Sequence, residues 1–195
     1  MGANRFLDFG CGKGGVVRKG KEVGLDVTGY DPNVPEFEQF PDKRFDLLFS
    51  FDVLEHIPLN VMPTALDGCV RLADVALFVP HLGLANTILP NGENAHCTIL
   101  APSEWVELLS GHYPHVAAVE HISEKHVVLI ASSKPVGPVV EACKTVTQAL
   151  RREVSGPTGV RTRLRRGSRM LFGKEMRRAI GRGLRKAVVA RRPNL

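Results

Sequence analysis

The sequence predicts an α/β domain, a doubly wound and mostly parallel sheet that ends in an antiparallel hairpin. Three observations predict it. Short apolar, β-branched stretches alternate with helix-period stretches over residues 5–111, the pattern of a parallel sheet with helices on both faces. The first of these stretches breaks into a glycine-rich turn, "LDFGCGKGG" at 7–15. The last two, "HVAAVEHI" (115–122) and "HVVLIASS" (126–133), are separated only by Ser123, Glu124 and Lys125, which marks a hairpin.

The elements follow in order. "RFLDFG" (5–10) is a short buried strand stopped by glycine, and residues 14–23 form a helix that Gly20 weakens. "LDVTGYDP" (25–32) is a second strand that ends at Pro32, and the Pro-rich, acidic residues 33–43 form a loop or one short turn. "RFDLLFSFDVLEHI" (44–57) supplies a strand over roughly 45–50 and then a turn, and residues 60–73 form a helix. "VALFVP" (75–80) is another buried strand. Residues 81–101 form a long loop, with a turn at Asn91-Gly92. Pro102 and Ser103 open a helix over 102–111. Ligands of open α/β sheets bind at the carboxyl ends of the strands, so the loops after Phe9, Tyr30, Ser50 and Val79 are expected on one rim.

The charge of the chain is divided. Its net +6 is the balance of a C-terminal stretch, 151–195, with 15 basic and 2 acidic residues, and a preceding part, 1–150, with 11 basic and 18 acidic residues. Three segments follow: a domain over 1–135, a connecting helix over 136–154 and a basic helical arm over 155–195, joined through "SGPTG" (155–159). No apolar run approaches the roughly 18 residues that span a bilayer. The four cysteines, Cys11, Cys69, Cys97 and Cys143, form no C-x-x-C pair. They read as reduced, and the protein as cytoplasmic.

Three cofactors compete for the glycine turn. A phosphate-binding P-loop needs G-x-x-x-x-G-K-[ST], but Leu7 sits where its first glycine belongs and Gly14 replaces the hydroxyl residue. A dinucleotide fingerprint needs G-x-G-x-x-G, and Gly10, Gly12 and Gly15 comply, with Asp31 placed 19 residues beyond Gly12. S-adenosylmethionine brings a sulfonium and an ammonium group and no phosphate. Asp8 lies two residues before the first glycine. A carboxylate there suits the cationic cofactor and opposes a pyrophosphate.

With these residues, the chain resembles the class I S-adenosylmethionine-dependent methyltransferases over about residues 4–134. "LDFGCGKG" looks like their first motif, "GYDP" carries the acid that binds the ribose hydroxyls, and "FDLLFSFDVLEHIP" looks like the segment ending their fourth strand. The "DVLEH" within it is similar to that of small-molecule O-methyltransferases. The resemblance implies a Rossmann-like fold and S-adenosylmethionine as cofactor. It implies a cofactor site of Asp8, Gly10, Cys11, Gly12, Gly14, Asp31, Pro32 and Asp52. Two departures stand out. The family usually places a helix ahead of the first strand, where only Met1 to Asn4 stand here. The third strand, between Pro32 and Arg44, is short or missing, which leaves Glu36, Glu38 and Asp42 as unsorted candidates for contact with adenine.

Methyl transfer from a sulfonium needs nucleophile, methyl carbon and sulfur in line, and a hydroxyl or amine nucleophile also benefits from a base. His56 is the candidate base or acceptor contact, with Glu55 orienting it and His96 arriving from the long loop. At 21 residues that loop exceeds an ordinary connection, which favours a lid or binding loop. The set Asp52, Glu55, His56 and His96 also resembles the acid-x-x-Glu-His plus distant histidine by which small-RNA 3′-end methyltransferases hold a divalent metal. Here the first ligand would be an aspartate, with shorter reach.

In the arm, Phe172, Met176, Ile180, Leu184 and Val188 recur every four residues among arginines, giving an apolar stripe on a basic helix. It fits contact with nucleic acid, peripheral attachment to an anionic membrane surface, or a protein-docking helix. The reading reached is methyl transfer from S-adenosylmethionine, to oxygen, on a small molecule, sugar or nucleic acid. The alternatives are a non-enzymatic binding module that uses the arm, and an NAD-dependent oxidoreductase.

Overall fold

The computed structural model describes residues 5–135, together with 137 and 140. The connecting helix expected over 136–154 and the basic arm over 155–195 lie outside the described residues. Within them the chain runs β1 (Arg5–Phe9), α1 (Gly15–Glu22), β2 (Asp26–Tyr30), β3 (Leu47–Phe51), a 3₁₀ turn (Leu54–His56), α2 (Met62–Leu72), β4 (Val75–Val79), α3 (Pro102–Ser110), β5 (His115–Ser123) and β6 (His126–Ser132).

The six strands form one sheet in the order β2-β1-β3-β4-β6-β5. The first four are parallel, and β6 and β5 join antiparallel to each other and to β4. Every expected strand and helix in this region is present, with ends within about two residues of their expected positions. Among the described residues no strand lies between Pro32 and Arg44; turns and bends fill that stretch. β2 is therefore an edge strand.

The central strands are apolar on both sides because both sides are covered. Leu7, Leu48, Ala76, Phe78 and Leu129 pack with Leu66 and Cys69 of α2 and with Trp105 and Leu109 of α3. Leu47, Leu77, Val79, Val128 and Ile130 form a second cluster on the opposite face, with Phe6, Phe49 and Phe51 packed against it. α1 belongs to this second face. Its Gly20 lies so close to Val27 that a Cβ would stand 2.6 Å from Cγ2 of that residue, and Val27 is the register partner of Phe6.

Two helix ends follow from local chemistry. Gly14 takes φ +69° ahead of α1, a conformation that glycine adopts without penalty. Pro102 opens α3, where its missing N–H costs nothing, and the Glu104 carboxylate accepts the amide N–H of Ala101 at 2.6 Å. Cys11, Cys69 and Cys97 are free thiols.

Candidate active site

Four loops meet at the carboxyl ends of the parallel strands. The amides of Gly10 and Cys11 both donate to the Tyr30 carbonyl, at 2.7 and 3.1 Å, which folds the glycine turn onto the end of β2. The amide of Gly12 donates to Asp31 Oδ2 at 2.8 Å, and Asn33 donates to Oδ1 at 3.0 Å. Asp31 thus organises the turn while keeping lone pairs to spare. The amide of Asp52 donates to the Val79 carbonyl at 3.1 Å and ties the loop after β3 to that after β4. The expected common rim is present.

The three alternating glycines do different work. Gly10 has φ +77°, and a Cβ there would stand 2.3 Å from Cγ2 of Val53. Gly14 would collide with the Phe37 ring at 2.5 Å. Gly12 has φ +51°, and a Cβ on it would meet no protein atom within 4 Å. Gly10 and Gly14 let the rim close, and Gly12 faces open space. Gly10→Ala is therefore expected to cost about 3 kcal/mol or more, through left-handed strain plus overpacking. Val53→Ala should recover part of it in a double-mutant cycle followed by thermal melting. Gly12→Ala should cost only about 1–2 kcal/mol of strain.

Asp8 sits at the end of β1 on the α1 face, buried, opposite Gly29 on β2 and Phe49 on β3. Gly29 leaves room that Cys11, Val17 and Phe37 fill. Burial, reinforced by the nearby Asp31 charge, raises the Asp8 carboxyl to a pKa of about 7. Cys11, pushed up to about 12 by burial and by Asp8 and Asp31, stays a thiol. Of the three acids left unsorted by sequence, Glu36 comes near enough to Cys11 to act on it electrostatically. Phe37 was not foreseen. Its ring is wedged against Gly14 and Gly29, and its carbonyl accepts the Asp31 amide at 2.9 Å.

The other half of the rim is a cluster of imidazoles around a buried acid. Glu55 is fully buried, and neither carboxyl oxygen has a hydrogen-bond partner. Burial raises its pKa, and the nearby amides of Glu55 itself and His81 offset this only in part. Its carboxylate and one nitrogen each of His56 and His96 lie within 4.8 Å of one another. The 3₁₀ turn delivers Glu55 and His56. The long loop delivers His96 and is pinned by Thr98, which donates its amide to the Glu55 carbonyl and its hydroxyl to that of Ile57, at 3.0 and 2.7 Å.

The orientation of His56 differs from expectation. Its Nδ1 lies 2.7 Å from the Ala95 carbonyl, so the loop backbone aims the ring and Glu55 does not. A bare carbonyl can only accept, so Nδ1 carries the proton and Nε2 keeps a lone pair. His96 repeats the arrangement with Nδ1 against the Gly83 carbonyl at 2.5 Å. The cluster extends through ring contacts from His56 to His96, His81 and His126, with centroids 4.7, 4.7 and 4.8 Å apart. Burial and the neighbouring imidazoles lower the pKa of His81. Asp52 is not one of the Glu55–His56–His96 group, although its charge reaches Glu55. It takes φ +53°, and its Oδ1 lies 3.0 Å from Nε2 of His126, a partner 74 residues away.

Comparison with known proteins agrees with this architecture. A family model described as a methyltransferase domain matches residues 2–126. No curated protein matches the sequence. Among solved structures, the DhpI–SAH complex is 15% identical and superposes with a TM-score of 0.52 over 68% of this chain and 78% of that one. The 1,6-didemethyltoxoflavin-N1-methyltransferase of Burkholderia thailandensis, with bound 1,6-didemethyltoxoflavin and S-adenosylhomocysteine, is 19% identical, with a TM-score of 0.52 over 68% of this chain and 72% of that one. The mitomycin 7-O-methyltransferase MmcR is 14% identical, with a TM-score of 0.51 over 67% and 49%. Sheet, glycine turn and matched family model together place the chain in the methyltransferase domain family, among the class I, S-adenosylmethionine-dependent enzymes.

Proposed function

We propose that this protein transfers the methyl group of S-adenosylmethionine to an oxygen nucleophile of its acceptor. The observation that carries this reading is the pair of acids, Asp8 and Asp31, flanking a turn whose middle glycine faces open space. Two carboxylates suit an ammonium, a sulfonium and a ribose diol, and oppose a pyrophosphate. Asp8, Gly10, Cys11, Gly12, Gly14, Asp31, Pro32 and Asp52 would hold the cofactor, which supplies an electrophilic methyl group when bound. Asp31 offers its free lone pairs to the hydroxyls, and Asp8 offers its charge to the cationic end. Phe37 closes the far wall.

At the acceptor end, the free Nε2 of His56 takes the hydroxyl proton as oxygen attacks, and His96 lies beside it. Two of the similar proteins are named as methyltransferases of small molecules, one at nitrogen and one at oxygen. A small-molecule, sugar or nucleic acid hydroxyl all fit the same proton transfer.

One observation favours a second reading of this end. Both oxygens of Glu55 are buried without a partner, close to two imidazoles whose Nε2 lone pairs are free. A carboxylate and two such histidines form a ligand set suited to a divalent cation. A cation held by Glu55, His56 and His96 would act as a Lewis acid on the acceptor hydroxyl. Turnover of labelled S-adenosylmethionine across acceptor classes tests both readings. His56→Ala should lower turnover about 100-fold or more while cofactor binding persists. If chelation leaves turnover and melting temperature unchanged, the base reading stands. If both fall and added cation restores them, the metal reading stands.

A further inference from the structure

The long loop carries a feature that methyl transfer does not use. Its tip is built to hold apolar side chains in water: Leu84 is 68% exposed, Ile88 61% and Leu89 41%. From residue 82 to residue 92 the loop has no charged side chain. The tip is also internally bonded. Ile88 pairs with Asn94, Leu89 donates to the Glu93 carbonyl, Ala95 donates to that of Thr87, and the Asn94 amide both accepts from and donates to Ala85. These bonds fix the path of the tip and so hold its apolar side chains outward. Leu59, Val61 and Ile99 are also exposed, and they neighbour in sequence Ile57 and Thr98, which bond to each other.

The second observation is independent and lies in the sequence of the arm. Residues 151–195 carry 15 basic and 2 acidic side chains, with Phe172, Met176, Ile180, Leu184 and Val188 at four-residue intervals. Basic charge plus a periodic apolar stripe matches an anionic lipid surface. Phe172 is the only aromatic residue beyond 155, so the arm has little with which to stack bases. A nucleic acid partner would also leave the apolar loop tip without a role.

We propose that this protein works on an anionic membrane surface, with the tip around Leu84, Ile88 and Leu89 dipping among the headgroups and the basic arm holding it there. Resting on the methyl-transfer reading above, the acceptor hydroxyl belongs to a membrane-held amphiphile presented to the His56 end of the rim.

The test is sedimentation of the full chain with vesicles of phosphatidylcholine alone and of phosphatidylcholine mixed with phosphatidylglycerol in equal parts, without S-adenosylmethionine. Binding to the mixed vesicles only is expected. The triple variant L84S/I88S/L89S should partition about tenfold less, and so should a variant with Arg165, Arg166, Arg177, Arg178 and Arg185 changed to glutamine. In L89W, the tip tryptophan should shift to the blue on the mixed vesicles and be quenched by brominated lipid. Failure of the full chain to bind mixed vesicles overturns the proposal, as does unchanged partitioning of the loop variant. Retention of a single-stranded RNA oligonucleotide in place of vesicles overturns it in favour of nucleic acid. Calorimetry of the loop variant with S-adenosylmethionine keeps the two readings apart, because lost lipid binding with cofactor binding intact concerns the membrane alone.

Discussion

Replacing Asp8 by asparagine should flatten both the pH dependence of stability and the pH dependence of cofactor affinity. In the folded protein the Asp8 carboxyl has a pKa of about 7, against an ordinary value of 3.8, because it is buried beside Asp31. Between these values the native state holds a proton that the unfolded chain has released. The stabilisation is therefore complete below pH 4 and is lost as pH rises through 7. At about 1.4 kcal/mol per pKa unit the loss approaches 4 kcal/mol between pH 4 and pH 8, as an order of magnitude. Urea melts of the ligand-free protein should show this fall, and Asp8→Asn should remove most of it. Affinity should run the other way. A cationic ligand favours ionised Asp8, so binding should weaken up to about tenfold per pH unit below 7, with proton release on binding. Asp8→Asn should bind about 10- to 100-fold more weakly at pH 8, with a flat profile.

Glu55→Met should give a protein that is more stable and nearly inactive. The carboxyl is fully buried, neither oxygen has a well-aligned hydrogen-bond partner, and the nearby amides of Glu55 and His81 relieve it only in part, a burden of about 1–3 kcal/mol that a methionine of similar size removes. The gain should appear in denaturant melts of chelator-treated protein. Turnover should fall about 100-fold or more, because Glu55 is one of the three groups, with His56 and His96, that would hold a cation at the acceptor end of the rim. A loss of stability would mean that the carboxyl is tied into the fold, and an unchanged turnover would mean that it serves packing alone. A stabilising substitution that removes activity is the expected signature of a functional residue held against its own preference.

The legible part of this molecule was the part written locally. The glycine turn, Asp31, the strand ends and the Asn91-Gly92 turn were readable because φ demands and side-chain period act over a few residues. The missing strand between Pro32 and Arg44 was readable from its prolines. The partners of the site residues were not. Asp52 meets His126 across 74 residues, Ala95 aims His56 across 39, and Thr98 secures the loop to Ile57 across 41. Each is a product of sheet order and loop path, which no local pattern encodes. Glu55 stood out in the sequence as a partner for His56, and the structure gives it a different setting. It does not orient His56; what distinguishes it is an unpartnered buried carboxyl, visible only once the surrounding chain is in place. Phe37 had one local signal, the small Gly29 beneath it in "GYDP".

Titration calorimetry of the full chain with S-adenosylmethionine and, separately, with NAD tests the central claim most directly. The two ligands differ in the charge that they bring to Asp8, and the glycine spacing alone admits both. A one-site heat with S-adenosylmethionine that Asp31→Ala removes, together with no heat from NAD, is the result predicted. Folded protein that gives no heat with S-adenosylmethionine, or that binds NAD, would contradict the assignment.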